Sequence, residues 1–259
     1  MADSDNHTTQ GDGAPPRHLA ELLWAQHHPT EDYPLGVLGV PAPIPGIAFF
    51  PGGYGLWRPD IASPLPAFPV GGVMVLGHDF HSESGYRESL RHGRESETQP
   101  TWRVLLKVLE RVAISPTRCF FTNVYMGLRA GDSPTGPFPG AKRESFVDHC
   151  VRFLDRQVAA QRPSLIITLG VNVPPLLARL TPELQDWASH RGLKHLDRVG
   201  ALRGGVRIGV DQQVETNVVA LVHPSMRHAC VRHRAYKGLR GDEAEMLLLS
   251  EALALSGRR

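Results

Sequence analysis

The stretch Val73-Met74-Val75-Leu76-Gly77 is a continuous apolar run closed by glycine, and the polar residues His78-Asp79-Phe80-His81-Ser82 follow it at once. An apolar run without alternation is the pattern of a strand buried on both faces, as in a parallel sheet covered by helices. Three further stretches read the same way: Cys119-Phe120-Phe121-Thr122-Asn123-Val124, Leu165-Ile166-Ile167-Thr168-Leu169 before Gly170, and Val218-Val219-Ala220-Leu221-Val222. Helical spacing separates them. Residues 102–112 carry apolar side chains at 104, 105, 108, 109 and 112, and residues 143–160 place Phe146, Val147, Cys150, Val151 and Leu154 on one stripe. A shorter helix is expected near 174–180 and a closing helix over 241–255. Strands alternating with helices predict a three-layer α/β/α sandwich around a central four-stranded, mainly parallel sheet.

Working outward, residues 1–16 read as a disordered tail and 17–27 as a short amphipathic helix with Leu19, Leu22, Leu23 and Trp24 on or near one face. Residues 29–69 are crowded with Pro and Gly and read as an irregular wrapping segment with one short strand near 46–50. Residues 17–259 are expected to form a single domain, with 17–70 as helix and wrap and 71–259 as the core. A chain of 259 residues buries roughly three quarters of its unfolded surface, enough for one sizeable core.

Composition narrows the class. Lys plus Arg total 28 against 26 Asp plus Glu, with 41% hydrophobic and 21% charged residues, which excludes a disordered acidic protein, a polybasic tail protein and a collagen. Nearly all the positive charge is Arg, which suits bidentate phosphate contacts and is equally the product of codon bias. The three cysteines, Cys119, Cys150 and Cys230, are far apart and form no C-x-x-C pair, so no disulfide framework, zinc ribbon or iron–sulfur cluster is suggested. No apolar run approaches the ~18 residues that would span a membrane, and the first residues lack a signal-peptide core. The expected compartment is the cytoplasm.

In open parallel sheets the functional site lies at the carboxyl ends of the strands. Four clusters stand there: Gly77-His78-Asp79-Phe80-His81-Ser82, Thr122-Asn123-Val124-Tyr125, Leu169-Gly170-Val171-Asn172, and His223-Pro224-Ser225-Met226-Arg227-His228. Taken singly, Asp79 can be an N-cap, Asn123 can satisfy loop backbone and His223 can cap its strand. Together they crowd one edge of one sheet.

Over residues 71–234 these motifs resemble the uracil-DNA glycosylase superfamily. The resemblance rests on Gly77-His78-Asp79-Phe80-His81-Ser82 as the first motif (family form G-Q-D-P-Y-H, or G-E-x-P-G in other branches) and on Phe121-Thr122-Asn123-Val124. It also rests on Ile166-Ile167-Thr168-Leu169-Gly170 and on His223-Pro224-Ser225. The interval from Asn123 to His223 is longer than in the family, and the extra residues are expected within 181–216. The resemblance implies a DNA glycosylase that flips a uracil or related damaged base out of the duplex. It implies catalytic roles for Asp79, which would activate water and stabilise the sugar cation, and for His223, which would stabilise the leaving base anion. Asn123 would read the base edge, and the backbone N–H groups of His78 and Asp79 would complete the polar shell. Two departures bear on the preferred base: Phe80 replaces the motif's proline, and His81 replaces the tyrosine that blocks a 5-methyl group. The stacking aromatic is not obvious; Phe80 and Tyr86 are the candidates.

The segment 223–240 holds Arg227, Arg232, Arg234, Lys237 and Arg240 and no acid. By resemblance, Ser225, Met226, Arg227, Arg232 and Arg234 would contact DNA, with Met226 as an apolar wedge. The alternative is a basic face balanced by Asp242, Glu243 and Glu245 of the closing helix. Arg87, Arg91 and Arg94 read as part of a polar loop over 83–97. The expected partner is DNA containing uracil or a damaged base, met by a monomer with no cofactor, metal or membrane.

Two rivals stand beside this reading. A metal hydrolase would draw on the 13 His residues, among them His78, His81, His223, His228 and His233, with Asp79, but there is no H-E-x-x-H or similar pair. A non-catalytic nucleic-acid or nucleobase-binding protein on the same fold is the other, since fold does not decide function.

Overall fold

The computed structural model describes residues 18–189, 192–210 and 214–257; the tail read at 1–16 lies outside them. The first part of the chain carries helix α1 (Leu19–Ala25), the two-residue strand β1 (Val37–Leu38) and the central strand β2 (Val73–Gly77). Helices α2 (Glu83–His92) and α3 (Pro100–Arg111) lead to β3 (Cys119–Asn123) and the short β4 (Leu128–Arg129). Then come α4 (Glu144–Gln161), β5 (Leu165–Leu169), α5 (Pro174–Leu177), α6 (Leu193–Val199), β6 (Leu202–Ile208) and β7 (Val214–Leu221). The chain closes through α7 (Arg227–Cys230), the pair β8 (Ala235–Tyr236) and β9 (Leu239–Arg240), and α8 (Gly241–Ser256).

The main sheet has the order β3-β2-β5-β7-β6. Its first four members run parallel, and β6 pairs antiparallel with β7. Every residue of β2, β3 and β5 is buried, which is why these segments read as unbroken apolar runs. Alternation sorts their side chains onto two faces. On one, Phe121 meets Trp102 of α3 with ring centroids 4.9 Å apart; on the other, Thr122 Oγ1 donates to Gln157 of α4 at 2.5 Å. Helix α8 lies on the α3 side, where Arg111 pairs with Asp242 at 2.6 Å. The result is the expected three-layer sandwich.

Three elements depart from the sequence reading. The sheet has a fifth strand, β6, which the four-stranded expectation omits. Its residues Leu-Arg-Gly-Gly-Val-Arg-Ile show no clean period, and a register shift between Arg203 and Val206 breaks the pairing. It is a strand because the free edge of β7 offers a ladder, to which Asn217 Oδ1 adds an acceptor for the Gly205 N–H at 3.0 Å. Residues 83–92, read as polar loop, form a helix started by Ser82, whose Oγ accepts from Gly85 N at 3.4 Å. The helix stops at Gly93, in the left-handed conformation at φ 72°. The strand expected at 46–50 reduces to an isolated bridge between Phe50 and Thr122, because Pro51 has no N–H to extend it.

The carboxyl end of β7 is tied down by a buried charge. Glu245 of α8 is fully buried; its Oε2 accepts the Val222 N–H at 3.0 Å and Arg234 Nε at 3.0 Å, and its Oε1 is bonded to Arg227 Nη1. Removing one partner of such a network strands the others in a medium of low polarity. Glu245→Ala is expected to lower stability by about 3–5 kcal/mol, measured by urea unfolding, whereas an exposed-pair control such as Glu88→Ala changes it by about 0–1 kcal/mol. Equal effects would refute the anchoring role.

Candidate functional site

The register of the parallel strands brings their polar sequels to one place. Gly77 is level with Asn123, and Leu169 with Leu221. A cleft of about 350 Å³ opens at this edge, and its wall includes His78, Asp79, Phe80, His81, Asn123, His223 and Ser225. Two glycines permit the closeness. A Cβ on Gly77 would stand 2.2 Å from Asn123 Oδ1, and Gly170, at φ +83°, would place one 3.1 Å from the His223 Cβ.

Asp79 is not a free carboxylate. Arg129 of β4 grips it with Nε to Oδ2 at 2.7 Å and Nη2 to Oδ1 at 3.1 Å, and His78 Nδ1 lies 2.6 Å from Oδ1. Burial pushes the Asp79 carboxyl up, but the bonds from His78 and Arg129 outweigh it and hold the group below the usual carboxylate range. Asp79 therefore stays ionised in the cleft and is a poor proton acceptor. Arg129 itself is buried and also donates to the carbonyls of Thr135, Gly136 and Pro137 at 3.3, 3.0 and 3.0 Å, so it shapes the loop that forms another part of the wall.

His223 is oriented by its own loop. Its Nδ1 accepts the Ser225 N–H at 3.3 Å and faces Ser225 Oγ at 2.8 Å. That places the ring proton on Nε2. Burial lowers its pKa, opposed by Asp79 and aided by His78, which favours a neutral imidazole that donates from Nε2. Asn123 Nδ2 donates one hydrogen to Phe50 O at 3.0 Å, which leaves its second N–H and its Oδ1 for other partners. Phe80 lies over the backbone of Gly52, where a Cβ would fall 2.2 Å from the ring. His81 has its Nδ1 3.0 Å from Ser82 Oγ.

The remaining candidates lie elsewhere. Tyr86 is a packing residue: it is buried in a satellite core with Val40, Ile44 and Leu128, and its hydroxyl donates to Ala42 O at 2.5 Å. It is absent from the cleft wall because α2 turns it inward. Arg234 has no exposed surface; it bonds Glu245, Asp197 and the Ala220 carbonyl. Arg227 is nearly as enclosed, held by Glu245 and Asp242. These two arginines correct the DNA-contact reading: the acids of α8 neutralise them, so neither guanidinium faces solvent. Arg232 is exposed, and Met226 is 50% exposed beside the cleft, along an apolar hollow that also includes Leu169, Val171 and Leu193.

Two residues of the site were not legible in advance. Arg129 follows an unremarkable Gly127-Leu128; the β1–β4 pairing and a bridge to Ser82, with the Arg129 N–H donating to His81 O at 3.0 Å, deliver it to Asp79. Glu95 sits in a charged stretch, yet it is buried on the cleft wall, with Oε2 accepting the Phe49 N–H at 2.8 Å. Burial pushes its carboxyl up to about 7, against the Phe49 N–H and the polar indole edge of Trp102. Among the described residues no group of three or more His, Cys, Asp or Glu is arranged to hold a metal ion, and no helix is long and apolar enough to cross a membrane.

Arg129→Met is expected to cost about 3–5 kcal/mol in urea unfolding and to raise the Asp79 pKa, followed by the ¹³C carboxyl resonance. An unshifted titration would show that Arg129 does not control it. For Glu95 the folded-state value lies above the ordinary 4.5, so the folded protein holds the proton more tightly. Its contribution is complete below about pH 4.5, falls as pH rises towards about 7, and then levels off. Between pH 4 and 8 the stability of Glu95→Gln relative to wild type should therefore rise by on the order of 3 kcal/mol. A pH-independent difference would contradict the raised value.

No curated protein matches the chain. The family model described as Uracil DNA glycosylase superfamily matches residues 93–238, more than half of the sequence, including Asn123 and His223 but not the 77–82 motif. Membership of this family supports a glycosylase-like function in general. A parallel sheet whose carboxyl edge gathers Asp79, Asn123 and His223 around one cleft agrees with that match, and the chain belongs to the uracil-DNA glycosylase superfamily.

Proposed function

We propose that the protein is a DNA glycosylase that hydrolyses the N-glycosidic bond of uracil or a related damaged base. The observation that carries this reading is the convergence of an ionised carboxylate, an amide and a neutral imidazole donor on one cleft of about 350 Å³. A flipped base entering the cleft would meet Asn123, whose free N–H and Oδ1 match an adjacent carbonyl and imide N–H. As the base–sugar bond lengthens, negative charge gathers on the base oxygen and positive charge on the sugar. His223 Nε2–H would stabilise the first in a site that excludes water. Asp79 would stabilise the second and orient the attacking water; the Arg129 grip makes this role electrostatic more than proton-accepting. Of the five residues of this segment expected to meet DNA, Met226 and Arg232 are the ones that are exposed and remain available to a strand.

One observation favours a second reading, a nucleobase-binding protein without catalysis: the charge of Asp79 is largely compensated by Arg129. Oligonucleotides carrying uracil in single-stranded, U:G and U:A form, or hypoxanthine or xanthine, distinguish the two when scored for abasic sites. Release from at least one substrate is expected, with His223→Ala slowing it roughly 10²–10³-fold while the fold is kept. Absence of product from every substrate would overturn the glycosylase reading, and retained binding to the same DNA would then favour the second.

A further inference from the structure

Among the described residues, Glu95 is the buried carboxyl on the cleft wall, 6% exposed, that the proposed chemistry does not use. Its position is built in. Its backbone N–H donates to Ile47 O at 2.8 Å, and Gly46 N donates to Gly93 O at 2.8 Å, so the loop after α2 is laced to the 46–50 segment. Phe49 N–H holds Glu95 Oε2 at 2.8 Å, and the next residue, Phe50, holds Asn123 Nδ2 through its carbonyl at 3.0 Å. Two successive residues of one segment thus hold Glu95 and Asn123, both of which line the cleft. Among the described residues Glu95 has no cationic partner, and beyond the Phe49 N–H the polar group set against its carboxyl is the Trp102 indole N–H. Burial without a cation raises the carboxyl to about 7, so below that pH the protonated form predominates. In that form it offers an O–H donor as well as an acceptor, which a carboxylate cannot.

We propose that Glu95 is a specificity-determining residue of the cleft: its Oε1 hydroxyl donates to an exocyclic carbonyl of the bound base, alongside Asn123. The ligand class is a base with a carbonyl next to a ring N–H, as in uracil, hypoxanthine and xanthine. This inference rests on the glycosylase reading for its substrate but not for its test. Glu95→Leu removes the donor, while Glu95→Gln restores an N–H donor and still accepts from Phe49. With a uracil oligonucleotide, Glu95→Leu should lower kcat/KM roughly 10- to 100-fold, the cost of an unmet buried polar group, and Glu95→Gln should recover most of that loss. A structural role alone would also be rescued by Gln, but it would leave the Glu95 carboxyl resonance unmoved when base is added. A folded Glu95→Leu variant as fast as wild type would overturn the inference and leave the glycosylase reading in place. If wild type releases no base, that reading fails, and free uracil and hypoxanthine are titrated by calorimetry instead. Binding lost in Leu and regained in Gln supports the Glu95 role, and no binding to wild type overturns it. The measurement that needs no variant is the ¹³C carboxyl resonance of Glu95, which should shift when either base is added; a stationary resonance also overturns the role.

Discussion

A carboxylate taken out of water must be neutralised, and this molecule places three of them around one sheet edge and answers each differently. Asp79 is paired with a guanidinium and hydrogen-bonded to an imidazole, Glu245 is paired with two arginines, and Glu95 is pushed by burial towards its protonated form. The first solution keeps a negative charge in the cleft. The second joins the end of β7, the loop after His223 and helix α8 into one rigid body. The third leaves a hydrogen-bond donor where a charge would otherwise be.

The division also explains the near-neutral net charge of +2. The basic segment after His223 looks in sequence like a surface for phosphates. In the fold its two most useful arginines point inward and neutralise α8, so their charge is not available to a distant anion. What the segment still presents outward is Met226 together with Arg232, Arg240, His228 and His233, and Lys237 paired with Glu251. A phosphate-gripping surface that lacks Arg227 and Arg234 would show a shallower dependence of binding on salt than the sequence count of cations suggests.

The wrapping segment 29–69 has a similar logic. It contributes almost no regular structure, yet Phe49 and Phe50 reach across the open edge of β3 and hold Glu95 and Asn123 by an N–H and a carbonyl. Arg129 plays the same part on the other flank, holding Asp79 and three carbonyls of the 135–137 loop at once. In both cases the groups that position the chemistry come from segments with little periodicity of their own.

Hydrophobic patterning alone determined the core of this protein. A parallel strand buried on both faces has to be apolar throughout, so the four parallel strands, their order with the long helices and the polar clusters at their ends could be read directly, and with them Asp79, Asn123 and His223. The antiparallel strand β6 and helix α2 escaped because an edge strand and an exposed helix carry no strong apolar period; pairing with β7 and the caps at Ser82 and Gly93 decided them. Arg129 and Glu95, and the inward turn of Arg227, Arg234 and Tyr86, were left to the tertiary structure. Their roles depend on which opposite charge or backbone group lies across the fold, and local sequence does not encode a partner 50 or 46 residues away.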